Sequence, residues 1–155
     1  MSFLGKVKKK LRNGSWYPFY NTFYEKNNLD PHMILLESRS GKALESNILS
    51  LLKELCQEPY RSFTLVLSVH RDSENEIKEK LQKNSIQGVH FVRTGSVAYY
   101  HALSRAGYLV NDTSFPGRFI KKEGQIYLNT WHGTPLKKMG RDNRPEMVTM
   151  GHVQR

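Results

Sequence analysis

Apolar positions along this chain follow two alternating rhythms. Short apolar runs bounded by turn residues fall at His32–Glu37, Phe63–Val69, Val89–Val92, Tyr108–Val110 and Ile126–Asn129. Runs of this length predict buried strands. Between them the apolar residues spread to a helical period. Leu44, Ile48, Leu51, Leu52 and Leu55 fall at i, i+4, i+7, i+8 and i+11, one face of a helix that Glu58-Pro59 ends. Ser73 and Glu76 read as a capping box opening a second helix, with Ile77 and Leu81 turned inward. Ser96 reads as the cap of a third, with Tyr99, Leu103 and Ala106 on one side and Gly107 as its stop.

Strand and helix therefore alternate with short connections. That order predicts an α/β fold, a Rossmann-like doubly wound parallel sheet. Ligands of such sheets bind beyond the carboxyl ends of the strands. This singles out Ser38 to Lys42, His70-Arg71, Arg93-Thr94, Asn111 to Phe115 and Trp131 to Lys138.

The last of these segments carries the most chemistry. A β-favouring run delivers Trp131-His132-Gly133, and Thr134-Pro135 then suits the opening of a helix bearing Lys137 and Lys138. A histidine at a strand end, beside a helix N-terminus and positive charge, can move a proton where an anion binds. The residues alone leave two readings each: His132 as general base or packing residue, Lys137 and Lys138 as phosphate contacts or solvated charges, Thr134 as ligand contact or cap, Trp131 as ligand contact or packing platform. Asn111, Asp112, Thr113 and Ser114 either orient substrate hydroxyls or form a turn and cap. Ser38 to Lys42 is not a Walker A loop, because Leu36 and Ala43 stand where a glycine and a Ser or Thr are required. A substrate-lining turn built on Ser38 and Gly41 remains.

Charge narrows the partners. The 155 residues carry a formal net charge of +10, which favours an acidic partner: nucleic acid, anionic lipid or a phosphate-rich polymer. The N-terminal stretch holds Lys6, Lys8, Lys9, Lys10 and Arg12 next to Trp16, Tyr17, Phe19, Tyr20, Phe23 and Tyr24. Basic residues beside aromatic ones suit an anionic membrane surface; a solvated arm followed by packing aromatics is the other reading. The single cysteine, Cys56, cannot form an internal disulfide or a cysteine zinc site, which fits a reducing compartment. No apolar run reaches the length of about eighteen residues needed to span a membrane, and no signal peptide is expected. The histidines other than His132 show no metal-ligand spacing, and no cofactor is expected.

The words of the sequence also match a family. Trp131-His132-Gly133-Thr134-Pro135-Leu136-Lys137, preceded by Tyr108-Leu-Val-Asn111-Asp112-Thr113-Ser114-Phe115-Pro116 and Phe119-Ile-Lys-Lys122, resembles the CDP-glycerol glycerophosphotransferase family, which builds teichoic acid and related capsule polymers. A weaker likeness reaches back to Met33–Ser38. The resemblance implies the N-terminal half of a GT-B-type two-domain transferase. It implies transfer of glycerol phosphate from CDP-glycerol, or a similar CDP-activated donor, to a lipid-linked polymer acceptor, with His132 as the catalytic base. It implies a peripheral enzyme on the cytoplasmic face of the membrane, with nucleic acid no longer expected. A related polyol- or sugar-phosphate transferase and a non-catalytic module for anionic surfaces are the rival readings. The expected organisation is a basic arm over 1–30, a Rossmann-like acceptor-side domain over 31–140, and a polar segment over 141–155 leading toward an absent second domain.

Overall fold

The computed structural model describes residues 17–117 and 119–131. Within them five parallel strands form one sheet: β1 (Asp30–Glu37), β2 (Thr64–Val69), β3 (Val89–Arg93), β4 (Ala106–Asn111) and β5 (Ile126–Asn129). Their order is β3-β2-β1-β4-β5. The winding direction reverses between β1 and β4, which makes the carboxyl ends of those two strands the topological switch point of the sheet.

Among the described residues four α-helices cover the strands: α1 (Tyr17–Lys26), α2 (Ser46–Leu55), α3 (Glu74–Lys83) and α4 (Val97–Arg105). Alternation along each strand assigns the two faces. Ile34, Leu36, Leu65, Leu67, Val69 and Val110 pack with Ile48 and Leu52 of α2 and Ile77 and Leu81 of α3. Leu35, Val66 and Leu109 point the other way, to Tyr20 of α1 and Tyr99, Ala102 and Leu103 of α4. Burying each such side chain stabilises the fold by about 1.5–3 kcal/mol. Both faces being covered explains why the strands read as unbroken apolar runs.

Local details differ from the sequence reading in four places. Residues 17–26, grouped there with the basic arm, form α1 against α4. Tyr20 is fully buried and donates its hydroxyl to the Ile120 carbonyl at 2.7 Å, so this aromatic is core. The strand begins at Asp30 rather than His32, with Pro31 inside it. The register against β4 shifts between Asp30 and Ile34, where the missing proline N–H interrupts the ladder. Gly107 lies inside β4, not at a helix stop: a Cβ there would sit 2.8 Å from the Asp30 carbonyl oxygen. Ser73 precedes α3 but makes no side-chain cap bond, because Arg71–Ser73 already forms a 3-10 turn, with the His70 ring accepting from the Asp72 N–H. Ser96 does cap α4, accepting from the Tyr99 N–H at 3.2 Å.

Candidate functional site at the carboxyl ends of the strands

Beyond β1 the chain turns left-handed for three residues: Arg39 (φ 49°), Ser40 (φ 55°) and Gly41 (φ 77°). For residues other than glycine this region is costly, about 1–3 kcal/mol each, and persists only where neighbours impose it. Asp112, just past β4, supplies the constraint. One carboxylate oxygen accepts from the Arg39 N–H at 2.8 Å, and the other accepts from the Ser38 hydroxyl at 2.8 Å. On the far side the His70 N–H donates to the Gly41 carbonyl at 2.7 Å. Only glycine fits at 41, since a Cβ would overlap Thr94 Oγ1 and lie 2.7 Å from the His70 nitrogen.

The corner after β5 joins the same network. Trp131 is also left-handed, with φ 57°. Its N–H donates to Asn129 Oδ1 at 2.8 Å, and Asn47, on the first turn of α2, donates to the Thr130 and Trp131 carbonyls at 3.1 and 3.3 Å. The Thr130 N–H donates to the Asn111 carbonyl at 2.8 Å. Among the described residues, three of the four left-handed positions outside glycine thus gather at the ends of β1 and β5.

Beneath this rim runs a polar row. Ser68, Glu37, Asn111 and Asn129 are register partners across β2, β1, β4 and β5, so they share one face of the sheet. Glu37 is 1% exposed and Asn111 0%. Burial pushes the Glu37 carboxyl above its ordinary range, and the Asp112 charge adds to the shift; the Ser68 and Tyr99 hydroxyls act in the opposite sense. The Tyr99 phenol is raised as well, by its own burial first and then by Glu37. Asn111 accepts the Tyr127 hydroxyl on Oδ1 at 3.0 Å. A groove at the opposite end of β2, lined by Leu55, Cys56, Tyr60, Phe63 and Gln87, lies away from all of these groups.

The model of the family described as CDP-glycerol:poly(glycerophosphate) glycerophosphotransferase matches residues 19–155. The chain belongs to that family. It is 31% identical over 123 residues to the teichoic acid poly(glycerol phosphate) polymerase of Staphylococcus epidermidis, covering 79% of this chain and 16% of that protein. It is 28% identical over 137 residues to the teichoic acid glycerol-phosphate transferase of Staphylococcus aureus, covering 88% of this chain and 33% of that one. The chain thus spans a third or less of the length of these curated relatives. A structure of the wall teichoic acid polymerase TagF covers 99% of this chain and 37% of its own, with TM-score 0.67 and 24% identity. A variant of the same polymerase superposes with TM-score 0.68 at 25% identity, over 96% of this chain and 35% of its own. The α/β sheet is therefore the fold found in part of the glycerophosphotransferase TagF.

Within this glycerophosphotransferase-family unit, the structure brings Ser38, Gly41, Asn111, Asp112 and Trp131 to one end of the sheet. Ser114 is exposed beside them. Asn111 and Asp112 are interior rather than surface groups, and Asp112 spends its carboxylate on the turn at Ser38 and Arg39. His132, Gly133, Thr134, Lys137 and Lys138 lie outside the described residues, as do Lys6, Lys8, Lys9, Lys10, Arg12 and Trp16. Among the described residues no helix is long and apolar enough to cross a membrane. Sequence reasoning missed Glu37, Ser68, Tyr99 and Asn47. For Glu37 a signal existed: a carboxylate closing an otherwise apolar buried run.

Proposed function

We propose that this chain is the acceptor-side part of an enzyme that transfers glycerol phosphate from CDP-glycerol to a hydroxyl of a lipid-linked teichoic acid or capsule-type acceptor. The observation that carries the reading is the family match over 19–155, which includes every segment gathered at the switch point. Its support is the polymerase and transferase names of the relatives, and the structures of TagF soaked with CDPG.

In this mechanism His132 takes the proton of the acceptor hydroxyl. The freed oxygen pair attacks the β-phosphorus of CDP-glycerol, the bond to the CMP oxygen breaks, and that oxygen leaves with the electron pair. Lys137 and Lys138 offset phosphate charge, since phosphoryl transfer depends mainly on positioning and electrostatics. Ser114, Trp131, Gly133 and Thr134 line the acceptor site, and the Ser38–Gly41 turn forms its opposite wall. The cytidine contacts belong to a second domain that faces this one. The basic arm, through Lys6, Lys8, Lys9, Lys10, Arg12 and Trp16, holds the enzyme on the anionic cytoplasmic face of the membrane.

The test joins residues 1–155 to the C-terminal part of a teichoic acid polymerase relative and measures transfer from CDP-glycerol. The isolated chain is expected to be inactive and the joined chain active. His132→Ala in the joined chain is expected to lose at least about 10²-fold in turnover, the loss typical of a positioned general base, with an unchanged melting temperature. Near-normal turnover in a stable His132→Ala variant would remove that histidine from the mechanism.

A further inference from the structure

Two strand ends that the sequence singles out, His70-Arg71 and Arg93-Thr94, take no part in the proposed transfer. The structure brings them to one rim with the turn after β1. The His70 N–H donates to the Gly41 carbonyl at 2.7 Å, and the Thr94 N–H donates to the Val69 carbonyl at 3.0 Å. The Ser68 and Thr94 hydroxyls are 2.8 Å apart. A cation stands next to each pinned residue: Lys42 after Gly41, Arg71 after His70, Arg93 before Thr94. All three are exposed. The carboxylates of the same rim have partners of their own. Glu45 pairs with Arg39 at 3.4 Å, and Asp72 lies 3.5 Å from the His70 ring. Glu74 pairs with Lys78 at 2.6 Å, and Arg93 acts on it only at longer range. Among the described residues no carboxylate forms an ion pair with Lys42, Arg71 or Arg93. Helix α4 also opens here, with Val97 and Ala98 exposed in its first turn, and a helix N-terminus favours negative charge.

Three unpaired cations set side by side along a pinned rim favour a partner with several spaced negative charges. The rim stands apart from the chemistry. In the order β3-β2-β1-β4-β5, β2 and β3 lie three and four strands from β5, whose end delivers Trp131. At about 4.8 Å per strand the separation is roughly 14–19 Å. The phosphate transferred at the β5 corner does not reach so far, whereas phosphates further back along a chain do. We propose that Lys42, Arg71 and Arg93 hold the phosphodiester backbone of an acceptor already several glycerol phosphate units long, while its terminal hydroxyl lies at the corner after β5. The acceptor is then a polymer rather than a single primer unit. Charge recognises such a backbone in any register, so the polymer can advance by one unit after each transfer without needing a new site. The choice of anion rests on the proposed transfer reaction. Binding is measured without any donor, so an inactive joined enzyme and a failure to hold polymer are separate results.

The test compares binding of a soluble, fluorescently labelled oligo(glycerol phosphate) with binding of single glycerol phosphate. The charges of the arm are removed first, through Lys6→Gln, Lys8→Gln, Lys9→Gln and Lys10→Gln, so that they do not mask the rim. In that background, combining Lys42→Gln, Arg71→Gln and Arg93→Gln is expected to weaken oligomer binding about tenfold, as three modest exposed charge contacts together would. The difference should shrink as salt rises. Single glycerol phosphate should bind both proteins alike. Combining Lys42→Arg, Arg71→Lys and Arg93→Lys keeps the charges and should keep the affinity, which separates lost charge from lost fold. Equal oligomer affinity with and without the three cations would overturn the proposal, and so would an equal loss for single glycerol phosphate. With the arm intact, phosphatidylglycerol vesicles should bind the parent and the Gln variant of the rim alike. A loss on vesicles matching the loss on oligomer would assign the rim to the membrane instead.

Discussion

Strand β1 contains two regions of opposite character. Ile34, Leu35 and Leu36 are 5% exposed or less, and each packs into one of the two apolar cores. One residue later, Glu37 and Ser38 are buried as deeply but are polar, and the backbone then enters a left-handed run. Strand β4 repeats the change, from Leu109 and Val110 to Asn111 and Asp112. The middle of the sheet is stabilised by burial that nothing opposes. Its carboxyl end carries a desolvated carboxyl, orphaned polar atoms and strained torsions, each of which costs stability. Such costs collect where function needs a fixed geometry rather than a stable one.

This contrast can be broken most strongly in the core. Leu52→Ala removes a fully buried side chain between α2 and the sheet. A loss of about 2–5 kcal/mol is expected in denaturant unfolding, with the strand-end hydrogen bonds intact in whatever remains folded. A loss below about 1 kcal/mol would mean that the two-faced core does not carry the fold.

A smaller effect is expected from Asp112→Ala. It strands the buried Ser38 hydroxyl and the part-buried Arg39 N–H, for a cost of about 1–3 kcal/mol. Unlike the core variant, it should release the left-handed turn first. Amide exchange at Arg39 and Gly41 should rise far more than at Leu36 or Leu67. Uniform acceleration would deny that Asp112 holds the turn.

How much of this was legible in the sequence follows the same division. Among the described residues, apolar periodicity exposed the five strands and three of the four α-helices, because burial on both faces leaves an unbroken signal. It did not assign α1 to the core, because its aromatics sit beside a lysine-rich stretch and composition favoured an arm. Gly107 looked like punctuation, and only the approach of β1 explains it. At the site, the strand-end rule found Ser38, Gly41, Asn111, Asp112 and Trp131. It could not find the pairing of Glu37 with Ser68 and Asn111, since neighbours across a sheet are set by strand order and register. Nor could it show that Asp112 serves the backbone of Arg39, a contact spanning 73 residues.

The smallest expected effect is a gain. The folded state raises the Glu37 carboxyl above its ordinary value, so the folded protein binds that proton more tightly than the unfolded chain. The group's contribution is therefore fully present below the ordinary carboxyl range and is lost as pH rises through the folded value. Glu37→Gln removes the ionisation that causes this loss. The variant should melt higher than the parent at neutral pH and alike at acid pH. A variant less stable than its parent at neutral pH would show that the charged carboxylate is favoured in the folded state.

Whether the carboxyl end of the sheet serves transfer while the middle serves stability is decided by one paired measurement. In the chain joined to a second domain, turnover with CDP-glycerol and thermal melting are recorded for Asp112→Asn and Leu52→Ala side by side. Asp112→Asn is expected to lose turnover out of proportion to its small drop in melting temperature. Leu52→Ala should show a large drop in melting temperature, with near-normal turnover at temperatures where it is folded. Turnover that simply follows melting temperature in both variants would contradict that division.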